Sequence, residues 1–137
     1  MIRKLYKYWL PFILWGIVIF LFSSHPTGIA SEIHWQDFVV KKSAHIVEYA
    51  ILTILLYRAL LSHDINANKA ALIAILFSVL YGATDEFHQS FTPGREPKIR
   101  DVAIDALGSF IAVYSVRNLS AKLPLKIINL LKVLELR

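Results

Sequence analysis

Residues that could carry chemistry occur in three clusters, each with the spacing of one helical face. Lys42, His45 and Tyr49 stand at i, i+3 and i+7, and Glu48 adjoins this stripe. Residues at these intervals share one side of an α-helix, so the three side chains would point in one direction. The stripe brings together an ammonium group, an imidazole and a phenol.

The second and third clusters are rich in carboxylates. The second has the helical spacing i, i+3 and i+4 and consists of Asp85, His88 and Gln89, with Glu86 beside them. The third has Asp101 and Asp105 at i and i+4, followed by Gly108. A small residue at that point suits close helix packing.

Histidines beside carboxylates are typical of general acid and base catalysis, because a carboxylate can hold an imidazole that titrates near pH 7. We therefore predict four catalytic candidates, namely His45, Asp85, Glu86 and His88. Carboxylate oxygens and an imidazole could equally bind a divalent cation of undefined identity. The ligands of that alternative would be Asp85, Glu86, His88, Asp101 and Asp105.

The remaining cluster residues are predicted to bind substrate: Lys42, Tyr49, Gln89, Arg95, Asp101 and Asp105. Among the cations, Lys42, Arg95 and Arg100 could hold the phosphate of a lipid headgroup or polyprenyl carrier. Structural roles compete with these functions. Lys42 could be an interfacial lysine, His45 and Tyr49 could join helices by hydrogen bonds, and Arg95 could neutralise an aspartate.

Composition indicates a membrane protein. Of the 137 residues, 56% are hydrophobic and 18% are charged, and the mean hydropathy is +0.53, which is high for a soluble domain. The net charge of +5 lies in short clusters beside apolar runs, a pattern that favours anionic lipid over nucleic acid. With no cysteine, disulfides, thiolate metal sites and cysteine nucleophiles are excluded.

Apolar segments predict a single all-α domain with four transmembrane helices, at about residues 8–22, 43–61, 70–87 and 101–116. Polar loops are predicted at 23–42, 62–69 and 90–100. The last two spans are short, and their ionisable flanks would therefore lie at membrane depth beside a polar recess. Residues 120–137 have the pattern of an amphipathic interfacial helix.

Basic residues predict the orientation. Of the 15 arginines and lysines, ten lie in the amino terminus, the middle turn and the tail, and five lie in the other two loops. The richer side is expected to be cytoplasmic. This places both termini on the cytoplasmic side of a cell membrane and all three clusters at its outer face. A signal peptide cleaved after Ala30 is a weaker alternative, because Pro11 and two tryptophans fit it poorly.

Four motifs in this order resemble the VanZ-like family of membrane proteins, over residues 10–115. The motifs are Phe22-Ser23-Ser24, Lys42-x-x-His45-x-x-x-Tyr49, Asp85-Glu86-x-His88-Gln89-x-Phe91-x-Pro93-Gly94-Arg95 and Asp101-x-x-x-Asp105-x-x-Gly108. The run from Asp85 to Gly108 is the most specific part. The family is named for low-level resistance to the glycopeptide teicoplanin.

The resemblance implies site status for the positions that match its motifs: Lys42, His45, Tyr49, Asp85, Glu86, His88, Gln89, Arg95 and Asp101. There are two departures. His25 stands where glutamine is frequent, and Asp105 stands where asparagine is also common. The extra carboxylate could strengthen cation binding, but its variable type argues against an essential base.

Three functions are compatible with these residues. The first is an outward-facing membrane protein that binds or modifies a lipid-linked or envelope headgroup, with a link to glycopeptide resistance. The second is a structural or interaction protein whose polar residues lock the helices together. The third is a metal-dependent phosphotransferase or phosphatase, although the Asp-x-x-Asp-Gly motif of phosphoalcohol transferases is absent.

The energetic cost of unpaired charges at membrane depth leads to one geometric prediction. Three residues from different segments, His45, Asp85 and Arg95, should meet in one recess. The Pro93-Gly94 turn would fold Arg95 back over the other two. The oligomeric state is not defined by the sequence.

Overall fold

A computed structural model describes residues 2–25, 34–92 and 98–119 as four helices with no strand among those residues. We label them α1 (Ile2–Ser23), α2 (His34–Leu61), α3 (Ala67–Gln89) and α4 (Ile99–Tyr114). The predicted all-α class is confirmed for this part of the chain. The predicted interfacial helix at 120–137, like Arg95, lies outside it.

Helix α1 starts earlier than the predicted span. It is α-helical at Ile2–Lys4 and Leu10–Ser23, with a π-helical turn at Leu5–Trp9 between them. Pro11 follows this turn directly, and a proline inside a helix has no N–H for the preceding turn and crowds its carbonyl. A widened π-helical turn at this point accommodates the proline within a continuous helical segment.

Helix α2 corrects the sequence prediction. A polar loop was predicted to extend to Lys42, but the chain is helical from His34 onward. Polar residues here have partners that a helix supplies: Asp37 and Lys41 form an i,i+4 ion pair of 2.8 Å. Lys42 is paired with Asp101 of α4. These paired charges lie in the first turns of α2, ahead of its apolar part.

A polar turn was predicted at 62–69, and the structure has a shorter one at 62–66, because the next helix begins three residues earlier. Helix α2 ends at Leu61 and α3 begins at Ala67. The side chain of Asn66 caps α3 by accepting a hydrogen bond of 2.9 Å from the Asn68 backbone N–H, the usual role of an asparagine N-cap. Asp64 takes the left-handed conformation, with φ of 59°, which aspartate tolerates better than most residues.

Three contacts join other parts of the chain to this turn. We call this end of the bundle the turn end. Lys4 Nζ donates to the Ser62 carbonyl, and Trp9 Nε1 donates to His63 Nε2 at 3.0 Å. Arg117, just after α4, donates to the Asn68 side chain. The start of α1 and the end of α4 therefore lie at the same end of the bundle.

Helices α2, α3 and α4 pack against one another, and α1 lies at the edge of this group. The apolar core near the turn end is built from Leu56, Tyr57, Leu60, Ala70, Ala74 and Val113. Closer to the opposite end, Gly108 lets α4 approach α2. A Cβ at this glycine would lie 3.0 Å from Ile46 Cα and nearer still to its carbonyl oxygen.

Three of the helices are long and apolar enough to cross a membrane: Ile2–Ser23, Trp35–Leu61 and Ala67–Gln89. Helix α4 has 16 residues, continues directly into a π-helical turn at Ser115–Leu119, and is not one of these three. The structure thus supports three of the four predicted spans by length and composition.

Candidate functional site

Polar side chains of α2, α3 and α4 meet at the end of the bundle opposite the turn end. We call six of them the polar cluster: Lys42, His45, Asp85, Glu86, Asp101 and Asp105. The four carboxylates are all buried. Such burial is costly unless the charges are paired or hydrogen-bonded.

The centre of the cluster is a contact between His45 and Asp105. The imidazole Nδ1 of His45 lies 3.1 Å from Asp105 Oδ1, and the carboxylate is 1% exposed. This carboxylate also faces α3, because a Cβ at Gly82 would lie 3.1 Å from Asp105 Oδ2. Three helices thus enclose the pair, and the missing side chain of Gly82 leaves space for it.

A second contact between α2 and α4 lies one helical turn closer to the end of the bundle. Lys42 Nζ is 2.5 Å from Asp101 Oδ2, and both side chains are largely buried. Lys42 and His45 are one turn apart on α2, and Asp101 and Asp105 are one turn apart on α4. The i, i+3 stripe of one helix therefore faces the i, i+4 stripe of the other, as a two-rung ladder.

The end of α3 contributes the other two carboxylates. Asp85 Oδ2 accepts a hydrogen bond of 2.8 Å from Gln89 Nε2, the i,i+4 partner on the same helix. Glu86 Oε2 accepts 2.9 Å from the Lys98 backbone N–H, next to the start of α4. The other oxygen, Glu86 Oε1, is buried and has no hydrogen-bond partner among the described residues.

Tyr49 continues the α2 stripe into the interior. Its side chain is fully buried, and its Cε1 would lie 3.3 Å from a Cβ at Gly82. Its hydroxyl has no hydrogen-bond partner within the part of the chain that the structure describes. Tyr49 and Glu86 therefore supply two buried polar atoms whose hydrogen-bonding capacity is unused by these residues, and such atoms require an explanation.

His88 has its recorded contacts with α1. Its Nε2 lies 3.0 Å from Ser24 Oγ, and its ring lies against Phe20 with centroids 4.4 Å apart. His45 and His88, predicted together as catalytic candidates, thus have different partners. His45 belongs to the α2–α4 ladder, and His88 joins α3 to α1.

Arg95 is not among the described residues, so the predicted meeting of His45, Asp85 and Arg95 stays a prediction. The structure brings together the predicted residues Lys42, His45, Asp101 and Asp105. The sequence did not single out Gly82, and Ser24 was noted only within the Phe22-Ser23-Ser24 motif. The roles of Gly82 and Ser24 depend on the helices that face them. The only sequence signal for either residue was the motif that contains Ser24.

Metal binding was an open alternative in the sequence. Within residues 2–25, 34–92 and 98–119, no group of three or more histidines, aspartates or glutamates is arranged to hold a metal ion. The carboxylates instead contact Lys42, His45, Gln89 and a backbone N–H.

Fold and site together define a class: an all-helical chain with three helices suited to a membrane and an ionisable cluster buried at one end. The chain belongs to the VanZ/LLP1 family, whose sequence profile matches residues 8–120. This match confirms the resemblance drawn from the motifs, and the polar cluster lies within the matched region. No curated protein and no solved structure matches the chain.

Proposed function

We propose that this VanZ/LLP1 protein is a multi-pass membrane protein that binds a lipid-linked or envelope headgroup at the polar cluster, on the extracytoplasmic side. The observation that carries the proposal is the convergence of three helices on His45, Asp105 and Glu86 at one end of the bundle. Ionisable groups at such a depth are rare and mark functional sites by default.

The unused buried acceptor on Glu86 suggests what the headgroup contains. A hydroxyl or amino group of a headgroup could donate a hydrogen bond to Glu86 Oε1. Lys42 belongs to the pair nearer the end of the bundle and carries the positive charge that a lipid phosphate needs. It also neutralises Asp101. The proposed ligand therefore combines a phosphate with hydrogen-bond donors. A link to glycopeptide resistance would follow if this headgroup belongs to a cell-wall precursor.

Native mass spectrometry tests the proposal. Purified protein is mixed separately with phosphatidylglycerol, phosphatidylethanolamine and a polyprenyl phosphate, and lipid adducts that survive mild activation are counted. We expect one adduct to be retained by the parent and by Lys41→Ala, and to be lost in Lys42→Ala and in Glu86→Ala, which removes the unused acceptor. Lys41 is the matched control because it is adjacent to Lys42 and pairs within its own helix. Equal adducts in all four proteins would refute headgroup binding here.

The ladder itself supports a second candidate, a structural role in which the polar cluster locks α2 to α4. Both ion pairs join these two helices. Conservative variants of the ladder, Asp101→Asn and His45→Gln, discriminate between the candidates. Failure of such variants to accumulate in the membrane favours the structural role, whereas normal accumulation with lost ligand binding favours the site.

A further inference from the structure

An apolar groove lies on the outer surface of the bundle between α1 and α3. It has a volume of about 330 Å³, and Phe12, Gly16 and Phe20 of α1 line it opposite Phe77 and Tyr81 of α3. The lining residues Ile13, Ile17 and Phe20 are 44–49% exposed, so the groove opens sideways. In a membrane, this opening faces the hydrocarbon of the bilayer.

One end of the groove lies beside the end of α3, at the polar end of the bundle. Phe20 lines the groove, and its ring also lies against the ring of His88 on α3. His88 in turn contacts Ser24 at the end of α1. From Phe12 to Phe20 the groove spans about 12 Å of helix, running from this polar end toward the turn end. The groove therefore leads toward the end of the bundle that carries the polar cluster, so that an amphiphile with its chain in the groove would have its headgroup at that end.

Specific contacts fix the shape of the groove. The hydroxyl of Tyr81 donates a 2.7 Å hydrogen bond to the carbonyl of Gly16, which satisfies a polar group that would otherwise face hydrocarbon. Trp15 Nε1 donates to the Glu48 carbonyl at 2.9 Å. These two bonds tie α1 to α3 and α2, and the groove is the space left beside them.

The size of the groove decides what can occupy it. The groove runs along about two turns of α1, and its volume of about 330 Å³ suits a single narrow chain. A single hydrocarbon chain is narrow enough to enter from the bilayer, and bilayer phospholipids supply such chains at the groove opening.

We infer that the α1–α3 groove holds one acyl chain of a bilayer phospholipid whose headgroup lies at the polar cluster. This inference rests on the proposed function for the headgroup and adds the substrate class, a diacyl phospholipid. Its driving force is close packing against Phe12, Phe20 and Phe77, because association within a bilayer depends on van der Waals contact rather than on removal from water.

Photocrosslinking tests the inference. The parent protein is placed in nanodiscs of phosphatidylcholine that contain phosphatidylglycerol with a mid-chain diazirine, and the labelled residues are mapped by mass spectrometry. We expect labelling of Phe12, Gly16 and Phe77 to saturate as the diazirine lipid is increased. Labelling of Leu72 and Leu107, which are exposed apolar residues outside the groove, should rise without saturation.

A matched pair of variants adds bulk inside and outside the groove. Ile17 lines it and is 49% exposed, whereas Leu14 does not line it and is 51% exposed. With Ile17→Trp we expect groove labelling to fall to the level at Leu72, and with Leu14→Trp we expect it to be unchanged. Equal, non-saturating labelling of groove and non-groove residues in the parent would overturn the inference, even if Ile17→Trp failed to fold.

The same experiment separates this inference from the proposed function. Saturable groove labelling in the parent that weakens in Lys42→Ala, together with loss of headgroup adducts in that variant, supports both the acyl site and the headgroup site. Absence of saturable labelling with normal headgroup adducts overturns the acyl site alone. Saturable labelling with equal adducts in the parent and Lys42→Ala supports the acyl site and overturns the headgroup site.

Discussion

Lys41 and Lys42 are adjacent in the sequence, but their ammonium groups have different surroundings. Lys41 pairs with Asp37 on its own helix, and Lys42 pairs with Asp101 across to α4. An i,i+4 pair on one helix adds little to stability, because it orders two long side chains that water also solvates. A pair that joins two helices in a buried position contributes to their association.

The first prediction compares these two lysines. Lys41→Ala should change the free energy of unfolding by less than about 0.5 kcal/mol. Lys42→Ala should lower it by about 1.5–3 kcal/mol, the range for hydrogen bonds to charged groups. Unfolding in mixed detergent micelles titrated with denaturing detergent measures both values. Equal effects would contradict the assignment of Lys42 to the α2–α4 ladder.

The second prediction concerns Asp105, whose carboxylate contacts His45 and is 1% exposed. Asp105→Ala removes the acceptor and leaves the partly buried imidazole without it, which should cost about 3–5 kcal/mol, the range for breaking a buried pair. Asp105→Asn keeps an oxygen acceptor of similar size and should cost clearly less. Thermal unfolding in detergent checks the order, and Lys41→Ala is the control because Lys41 pairs with Asp37 on its own helix.

At the scale of the helices, glycines determine how closely α4 approaches its neighbours. Gly108 faces the backbone of Ile46, and Gly82 faces the side chains of Asp105 and Tyr49. Backbone atoms cannot move aside without separating the helices, whereas side chains can adjust. Small residues at such contacts allow the close packing on which helix association in membranes depends.

The third prediction follows from this difference. Gly108→Ala would force α2 and α4 apart, and we expect a loss of about 1–3 kcal/mol, typical of overpacking, together with weaker His45–Asp105 pairing. Gly16→Ala is the control, because a Cβ there would lie 3.7 Å from the Tyr81 hydroxyl, an ordinary contact. Thermal unfolding of the two variants provides the comparison. A Gly108→Ala protein as stable as Gly16→Ala would contradict the packing.

At the scale of the whole molecule, the polar cluster and the turn end lie at opposite ends of the bundle. The turn end collects Lys4, Ser62, Asn68 and Arg117, and the polar cluster lies at the start of α4 and the end of α3. Basic residues are concentrated at the turn end, which favours a cytoplasmic location for it.

The fourth prediction tests that orientation with single cysteines, which the natural sequence lacks. Cysteines replacing His25 and Ser90, exposed residues at the polar end, should react with a membrane-impermeant maleimide in intact cells. A cysteine replacing the exposed Lys69 should react only after permeabilisation. The reverse pattern would place the polar cluster on the cytoplasmic side and end the proposal of an extracytoplasmic site.

Several features of the protein follow from its sequence alone. The all-helical class follows from apolar segments separated by polar turns, and the family follows from the motif between Asp85 and Gly108. The stripes on α2 and α4 also follow, because helical spacing fixes which side chains share a face. The loop predicted at 23–42 was wrong from His34 onward, since polarity alone does not show that Lys42 has a partner on another helix.

The tertiary structure decided which stripes face each other. His45 and Asp105 are 60 positions apart, and nothing local to either residue specifies that pairing. It results from the register of α4 on α2, which is set where Gly108 meets the backbone of Ile46. The same packing turned His88 toward α1 and left the groove beside Gly16. Spacing along one helix fixes a direction, whereas contact between helices depends on how their surfaces fit together.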